Sequence, residues 1–458
     1  MADAMIKPLL ESLAQEFHCG GAPLDVSPIE LSGVDQLPSW FDVTDFAAEA
    51  MGFAGLMLSR YAHLDSTVCV DRRLASLWYD FTLRPNGWEL PGVWDSLAGV
   101  YRAQDAWIRL HTNAPHHRQA ALSILGEHSD KTSLSAAVAE WQADALESAI
   151  VDAGGCAARM RSIEQWRHHP QGISVAAEPL IIWNSGGDCE PSNQTIAANR
   201  PLEGLRVLDL TRVLAGPVAG RFLAAYGAEV LRIDPPDWNE PGVIPEVTLG
   251  KRCAQLDLTQ EPDRAIFTEL VKTADLLLHG YRPGALEGLG FSAATLRTLN
   301  PRLIDVSLNA YGWSGPWSQR RGFDSLVQMS CGIAEFGMSQ AQSGQPEPLP
   351  VQALDHATGY LIAGAALHAL KLRREQGKVL SARLSLARSA HQLCLNKRNQ
   401  IGPPLQPRAE ADLQKHVELT AWGPANRVRF PLTIAGTPAH WDYPAKDLRT
   451  ASPTWKKT

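Results

Sequence analysis

Asp355 is the residue whose position first raises a question of chemistry. It lies near the start of VQALDHATGYLIAGAALHAL (351–370), a long apolar stretch that contains a single carboxylate. Aspartate is a favoured N-cap, so one interpretation is a cap on a helix from His356 to about Arg373. The other is a nucleophile, because the positive end of a helix dipole favours an ionised carboxylate, and a carboxylate can attack an activated acyl group.

Acyl exchange is the chemistry that suits a carboxylate at this place. Attack on a thioester would give a mixed anhydride and release a thiolate. One activated acyl group replaces another, so the exchange costs little overall and needs no nucleotide. On the residues alone, the cap and the nucleophile both remain open.

The loop TRVLAGPVAG (211–220) follows a candidate strand and opens a candidate helix. Its backbone amides could hold a phosphate or an adenosine group. The pattern is not GxGxxG, so it gives no support to a nicotinamide or flavin site. A plain turn between strand and helix is the alternative.

The histidine-rich stretches HTNAPHHR (111–118) and WRHHP (166–170) are candidates for a metal site. They lack the spacing of HExxH, and no carboxylate stands in a fitting register, so we expect a structural role and no metal. The seven cysteines include no CxxC pair, which argues against a zinc site and for a reducing compartment.

The second half of the chain alternates between candidate strands and candidate helices, and these could position Asp355 and the loop 211–220. Their spacing predicts an α/β fold with a doubly wound, Rossmann-like parallel sheet, in which ligands bind beyond the carboxyl ends of the strands. The predicted strands are 205–210, 228–234, 275–279 and 303–308, and the predicted helices are 216–227, 262–274 and 292–300.

The first half has a different pattern. It predicts a helix over 43–62, a hairpin over 101–111 and one or two helices over 133–155, and it shows no strand series before residue 43. WNSGGDCEPSNQTIAANRP (183–201) is rich in turn-forming residues and predicts a linker. The expected domains are an N-terminal half, a linker, a large domain and an extended tail, over 1–185, 186–200, 201–400 and 401–458.

An internal repeat connects the halves. Asp45 and Asp355 are 310 residues apart, as are Arg73 and Arg383, and both aspartates precede small and apolar residues. A constant offset without a gap favours duplication, although chance similarity between two Ala-rich helices is the alternative.

The composition limits the classes of partner. The net charge is −7, and hydrophobic residues make up 45% and charged residues 20% of the chain, which is typical of globular proteins. No basic block indicates nucleic acid or an anionic membrane as a partner. No signal peptide and no apolar run of about 20 residues is visible, so we expect a cytoplasmic protein.

Motifs of the second half resemble the class III (CaiB/BaiF-like) CoA-transferase family in order and spacing. The motifs are PLEGLRVLDLTRVLAGPVAGRFLAAYGAEVLRID, GKRCAQLDL, ADLLLHGYRPGALEGLG, LNPRLIDVSLNAYGWSGPW and RGFDSLVQMSCG, together with the stretch around Asp355. Residues 88–182 resemble the small-domain region of that family through YRAQDAWIRLH and ALESAIVDAGGCAARMRSIEQWRHHPQG. The resemblance to the family covers most of the chain, but the matching regions occur in an unusual arrangement.

The resemblance implies a doubly wound large domain, a smaller α/β domain and, often, two interlocked chains, which leaves a homodimer open. It implies acyl-CoA and a carboxylic acid acceptor as substrates, with neither metal nor nicotinamide. The catalytic aspartate of the family falls on Asp355. Contacts to coenzyme A would fall on Leu214, Ala215, Leu256, Asp257, Leu258, Thr259, Gly280, Tyr281, Arg282, Arg321, Gly322, Phe323 and Asp324.

Departures from the family pattern concern cofactor contacts. Pro235 replaces a common arginine, Gly280 and Gly288 replace polar or basic residues, and the glycine-rich active-site loop of some members is missing. Substitutes for the lost contacts would be Arg232, Arg282 or Arg321. Asp45 has no nucleotide-binding segment of its own, so we expect it to be vestigial.

Three functions remain open. The first is an acyl-CoA:carboxylate CoA-transferase that works through an acyl-aspartyl anhydride and an aspartyl-CoA thioester at Asp355. The second is an α-methylacyl-CoA racemase, which needs two bases. Such relatives have a GHD-like element whose histidine is the second base, but this chain has Gly322-Phe323-Asp324 there and so lacks that base. The third is a non-catalytic CoA-binding relative. The acyl group and the acceptor acid are left open.

Overall fold

A mostly parallel sheet of seven strands lies at the centre of the chain, which we describe from a computed structural model covering residues 7–19, 22–192 and 195–456. The strands are β1 (His18–Cys19), β2 (Ala22–Pro23), β3 (Ile29–Ser32), β4 (Val68–Asp71), β5 (Leu83–Pro85), β6 (Gly99–Arg102), β7 (Trp107–Leu110), β8 (Ala157–Arg159), β9 (Ile182–Asp188), β10 (Arg206–Leu210), β11 (Glu229–Asp234), β12 (Lys251–Gln255), β13 (Leu276–His279), β14 (Ile304–Asn309), β15 (Lys378–Ser385), β16 (Glu418–Thr420), β17 (Gly423–Arg427) and β18 (Leu432–Ile434).

The helices cover both faces of this sheet and build the smaller units. They are α1 (Pro8–Glu16), α2 (Val43–Ala62), α3 (Arg72–Trp78), α4 (Pro115–Leu125), α5 (Lys131–Ala139), α6 (Ala143–Asp152), α7 (Ile163–His168), α8 (Pro170–Ala177), α9 (Ala215–Ala225), α10 (Ile244–Val247), α11 (Glu261–Lys272), α12 (Ala285–Gly288), α13 (Ala293–Leu299), α14 (Asp324–Ser330), α15 (Ile333–Ala341), α16 (Ala353–Gln376) and α17 (Leu386–Cys394). Among the described residues, no helix is both long and apolar enough to cross a membrane.

The central sheet has the strand order β12-β11-β10-β13-β14-β15-β9. Every neighbouring pair is parallel except β15 and β9. The chain leaves β10 towards β11 and later returns on the other side at β13, so the order reverses between β10 and β13. Ligands of doubly wound sheets bind beyond the carboxyl ends of strands at such a reversal. The predicted α/β fold class is confirmed.

Strand β9 corrects the predicted linker over 186–200. Residues 182–188 pair with β15 as the antiparallel edge of the central sheet, so the linker cannot begin at residue 186. The Gly- and Ser-rich sequence indicated a loop. An edge strand needs a ladder on one side only, and β15 supplies it although the local residues have low strand propensity. The rest of the predicted domain division stays a prediction.

A smaller α/β unit precedes the central sheet. The antiparallel sheet β6-β7-β8 packs with α4, α5 and α6 around its own core, in which Leu97, Ile108 and Leu146 are fully buried. The predicted hairpin over 101–111 and the two-helix alternative over 133–155 are both confirmed. The unit carries β7 towards the carboxyl ends of the central strands.

The two repeat helices, α2 and α16, pack directly against each other. Gly364 of α16 lies against Phe53 of α2, where an added Cβ would come within 2.3 Å of the ring. Small residues on both helices therefore permit a close approach of two buried backbones. Each helix is followed by a strand and a second helix, β4 and α3 in one case and β15 and α17 in the other. Duplication itself stays a prediction.

The tail after residue 400 is extended, and it pairs with the N-terminal half. β17 pairs with β5, and β18 pairs with β4, which also pairs with β3 in front of residue 43. Arg427 of the tail is fully buried and forms ion pairs with Glu418 at 2.7 Å and Glu246 at 3.4 Å. The tail therefore completes two small sheets of the first half.

Candidate active site

Asp355 is the third residue of α16 and not its N-cap. The cap position is Gln352, whose side chain makes no capping hydrogen bond, so the interpretation of Asp355 as the cap is wrong. The helix begins at Ala353, three residues earlier than expected, and Ala353 and Leu354 are fully buried in the core. Asp355 still lies in the first turn, where the helix dipole favours a negative charge. Only 6% of the residue is exposed.

Asp324 holds the backbone of Asp355. Its Oδ2 accepts a hydrogen bond from the backbone N–H of Asp355 at 2.9 Å, and its Oδ1 accepts one from Gln328 Nε2 at 2.5 Å. Gln328 in turn accepts the backbone N–H of Leu349 at 2.8 Å. The carboxylate at the start of α14 therefore fixes the first turn of α16.

Burial is the main influence on the protonation of this pair, and only Asp324 has a nearby cation, Arg109, among the described residues. Desolvation raises the pKa of Asp355 well above its usual range, and the neighbouring charge of Asp324 raises it further. Desolvation also raises the pKa of Asp324, while its hydrogen bonds to Gln328 and to backbone N–H groups oppose that effect. Two carboxylates this close favour a state in which one of them is protonated.

Two cavities meet at Asp355. The first, which we call the aromatic cavity, has a volume of about 260 Å³, and its lining includes Trp94, His111, Trp238 and Phe323. The second, which we call the arginine cavity, has a volume of about 400 Å³, and its lining includes Arg212, Arg282, Arg320 and Arg321. Val213, Trp238, Phe323 and Asp355 line both cavities.

The arginine cavity lies beyond the carboxyl ends of β10, β13 and β14, at the reversal of strand order. Arg320 pairs with Glu147 at 3.0 Å. Arg212, Arg282 and Arg321 have no carboxylate partner among the described residues. The pKa of Arg282 is lowered, mainly by burial and secondly by the positive charge of Arg321. Three guanidinium groups without counter-charge make this cavity suited to an anion such as a phosphate.

The structure brings most of the expected cofactor residues to these cavities. Leu214 lines the aromatic cavity, Phe323 lines both, and the arginine cavity also has Ala215, Gly280, Tyr281, Arg282, Arg321 and Gly322. Asp324 is fully buried behind Asp355 and lines neither cavity.

The segment from Leu256 to Thr259 lies outside both cavities. Leu256 and Leu258 are buried in the core beside the sheet, and Asp257 accepts hydrogen bonds from Thr259. The segment follows β12, so it stands at the same edge of the sheet as the cavities.

Arg232 does not replace a missing cofactor contact. It is fully buried and pairs with Asp234 at 2.9 Å and Glu240 at 3.2 Å, so it has neither exposure nor free charge for a ligand. Glu240 also accepts the backbone N–H of Val213 at 2.7 Å. Val213 has a φ of +64°, which is unfavourable for a β-branched residue, so this ion-paired carboxylate holds a strained loop in place.

The aromatic cavity also includes residues that no sequence motif assigns to the site, such as His111 and Trp94. His111, at the end of β7, stacks on Phe323 with ring centroids 3.8 Å apart and planes within 9°. Burial lowers the pKa of His111 to about 3, so the ring is neutral at physiological pH. We predict a structural role for the histidine stretch to which His111 belongs. No cluster of three metal-binding side chains occurs in the described part of the chain.

Asp45, the counterpart of Asp355 in the repeat, has a different environment. It pairs with Arg72 at 2.6 Å and faces Arg398 at 3.7 Å. Asp45 lines neither of the two cavities at Asp355. The two aspartates share a helix position, but only one of them lacks a cation and faces cavities.

A family model and curated relatives place this chain in one family. The family model described as CoA-transferase family III matches residues 202–423. The probable fatty acyl-CoA transferase Rv3272 of Mycobacterium tuberculosis is 34% identical over 267 residues, which cover 53% of this chain and 67% of that protein. Succinyl-CoA:glutarate CoA-transferase of Homo sapiens is 32% identical over 194 residues, which cover 40% of this chain and 44% of that protein.

A crystal structure of Rv3272 from Mycobacterium tuberculosis also matches. It is 37% identical with a TM-score of 0.38, and the match covers 43% of this chain and 56% of that chain. The chain thus spans between about two fifths and two thirds of the length of these relatives.

Proposed function

This chain belongs to CoA-transferase family III, and we propose that it transfers CoA from an acyl-CoA to a carboxylic acid with Asp355 as the nucleophile. The observation that carries the proposal is the meeting of two cavities at one carboxylate. One of them presents unpaired arginines that suit a phosphate-rich cofactor, and the other is aromatic and suits an acyl group.

The first half-reaction would proceed through two covalent states. An Asp355 Oδ attacks the thioester carbonyl, the C–S bond breaks, and CoA leaves as a thiolate, which gives an acyl-aspartyl anhydride. The thiolate then attacks Cγ of Asp355 and breaks its bond to the acyl carboxylate. The donor acid leaves, and an aspartyl-CoA thioester remains.

The second half-reaction reverses these steps with the acceptor. The acceptor carboxylate attacks Cγ of the aspartyl-CoA thioester and displaces the thiolate, which gives a new anhydride. The thiolate attacks the acceptor acyl carbon, so Asp355 is released as a carboxylate together with the new acyl-CoA. No proton is consumed, and Asp355 must be ionised at the start of each turnover.

Coenzyme A would lie along the carboxyl ends of the central strands. We assign the diphosphate to Arg282 and Arg321, which offset the departures at Pro235, Gly280 and Gly288, and the thioester to the N-terminus of α9 at Leu214 and Ala215. Tyr281, Gly322 and Phe323 would contact the pantetheine, and the segment from Leu256 to Thr259 would contact the adenosine.

Both parts of the site come from one chain. The small α/β unit contributes His111 and Trp94, and the large sheet contributes Asp355 and the arginines. This supports one complete site in each chain whether or not it forms a homodimer.

Trapping the covalent states tests the proposal. After addition of an acyl-CoA, borohydride should reduce the aspartyl-CoA thioester at Asp355, and hydroxylamine should convert the same thioester to a hydroxamate. Peptide mass spectrometry locates the modified residue. An active preparation in which Asp355 stays unmodified would exclude the mechanism.

A second function has one observation in its favour. The racemase-like chemistry needs two bases, and His111 stacks on Phe323, the residue at the position of the missing histidine. Incubation of a 2-methylacyl-CoA in deuterium oxide separates the two functions. Uptake of deuterium at the α carbon without transfer of CoA would favour the racemase.

A further inference from the structure

The aromatic cavity has an unusual balance of charge for a site that binds carboxylic acids. Its lining contains three carboxylates, Asp95, Glu240 and Asp355, and no lysine or arginine among the described residues. Asp95 pairs with Arg118 at 3.0 Å, and Glu240 pairs with Arg232 at 3.2 Å. Each of these pairs carries little net charge, so neither supplies a free cation or an uncompensated carboxylate to the cavity.

Arg109 and His111 do not change this balance. The guanidinium carbon of Arg109 lies 4.7 Å from the ring centroid of Trp94, whose ring lines the cavity while Arg109 does not. The charge of Arg109 acts on the carboxylate of Asp324. His111 is buried and neutral. Among the described residues of its lining, a ligand in this cavity thus meets rings, aliphatic groups and ion-paired or buried carboxylates, but no free cation.

Resting on the proposed function, we propose that donor and acceptor are monocarboxylic acids with an apolar body, and that the cavity rejects acyl groups with a second carboxylate. A distal carboxylate would be desolvated in this cavity without a free counter-charge, which is strongly unfavourable. The volume of about 260 Å³ favours a short or single-ring acyl group.

A matched pair of thioethers tests the charge rule without any chemistry. S-hexyl-CoA and S-(5-carboxypentyl)-CoA have the same chain length and differ only by a terminal carboxylate, and neither can acylate Asp355. Calorimetry on the wild-type protein should show at least about tenfold tighter binding of S-hexyl-CoA. Equal affinities, or tighter binding of the carboxylated probe, would overturn the inference.

A new cation should relax the selectivity. Val93 lines the cavity and is half-buried, so Val93→Arg adds a positive charge, while Val93→Gln changes shape and polarity without charge. We expect the ratio of the two affinities to fall by roughly tenfold in Val93→Arg and to stay near that of the wild type in Val93→Gln. An unchanged ratio in Val93→Arg contradicts electrostatic exclusion.

The outcomes separate this inference from the proposed function. Selective binding of S-hexyl-CoA without transfer from hexanoyl-CoA to any monocarboxylic acid would support the charge selectivity of the cavity and contradict the transferase. Transfer of CoA from adipyl-CoA as fast as from hexanoyl-CoA would support the transferase and contradict the charge selectivity. Failure of both probes to bind would overturn both.

Discussion

The carboxylate of Asp324 accepts a hydrogen bond from the backbone N–H of Asp355 at 2.9 Å, so two buried aspartates share one corner of the fold. The first belongs to α14 and the second to α16. This contact fixes Asp355 through its backbone and leaves its side chain facing the cavities. It also places a second carboxylate next to the group that the proposed mechanism requires to be ionised.

Asp324 should act as a positioning residue with an electrostatic effect on Asp355. Asp324→Asn keeps an acceptor for the N–H of Asp355 and removes the charge that raises the pKa of Asp355. Because the proposed turnover begins with ionised Asp355, the acidic limb of the kcat profile should move to lower pH. Asp324→Ala removes the acceptor as well and should lower kcat by roughly 10–100-fold.

The measurement is kcat against pH for wild type and both variants. Asp152→Asn, at an exposed carboxylate in α6, controls for the change in net charge. An acidic limb that stays unchanged in Asp324→Asn would show that the second carboxylate has no influence on the nucleophile.

The repeat offers an internal control for the nucleophile. Asp355→Asn should reduce CoA transfer by roughly 10³-fold or more, because the covalent route is lost. Asp45→Asn should keep transfer within about threefold of the wild type, because that carboxylate pairs with Arg72 and lines neither cavity. Steady-state rates and melting temperatures of both variants separate catalysis from folding. Equal losses in the two variants would argue against a unique nucleophile.

Arg282 and Arg321 should contribute to affinity for CoA rather than to the chemical step. Arg282→Gln and Arg321→Gln each remove one cation from the arginine cavity, so we expect KM for acyl-CoA to rise about 5–30-fold with little change in kcat. The matched control is Arg297→Gln, at an exposed arginine on α13. A rise in KM of the same size in Arg297→Gln would show that the effect comes from the net charge of the protein and not from the arginine cavity.

The sequence predicted most of the large sheet but missed three of its strands. β10, β11, β13 and β14 are short and apolar, so their pattern is local. β12 begins with Lys251, which is buried because it pairs with Asp209 at 2.7 Å, and that partner lies 42 residues away. A residue pattern cannot show that a charge is neutralised at such a distance.

The candidate site also has a part that was predictable from the sequence and a part that was not. The residues of the arginine cavity follow strands, and their place at the carboxyl ends was predictable from topology. The aromatic cavity depends on how the small α/β unit packs against the large sheet. That packing brings His111 onto Phe323, although 212 residues separate them, and no local pattern carries this information.

The buried charge of Asp355 should cost the protein stability. Its pKa is raised in the folded state, so folding favours the protonated form. This carboxyl therefore contributes most to stability below its unfolded pKa of about 3.9, and the contribution is lost as the pH rises through the folded value. Asp355→Asn lacks this titration and should be more stable than the wild type at neutral pH, by roughly 1–2 kcal/mol.

Urea unfolding of wild type and Asp355→Asn at pH 5, 7 and 8.5 measures the difference in the free energy of unfolding. The advantage of the variant should grow with pH across this range, because the wild-type carboxyl is driven towards its unfavourable ionised form. Asp45→Asn should show a smaller growth, because burial also raises the pKa of Asp45 but Arg72 and Arg398 oppose that effect. An advantage that is constant with pH would mean that the variant acts through packing, and that Asp355 is already ionised at no cost.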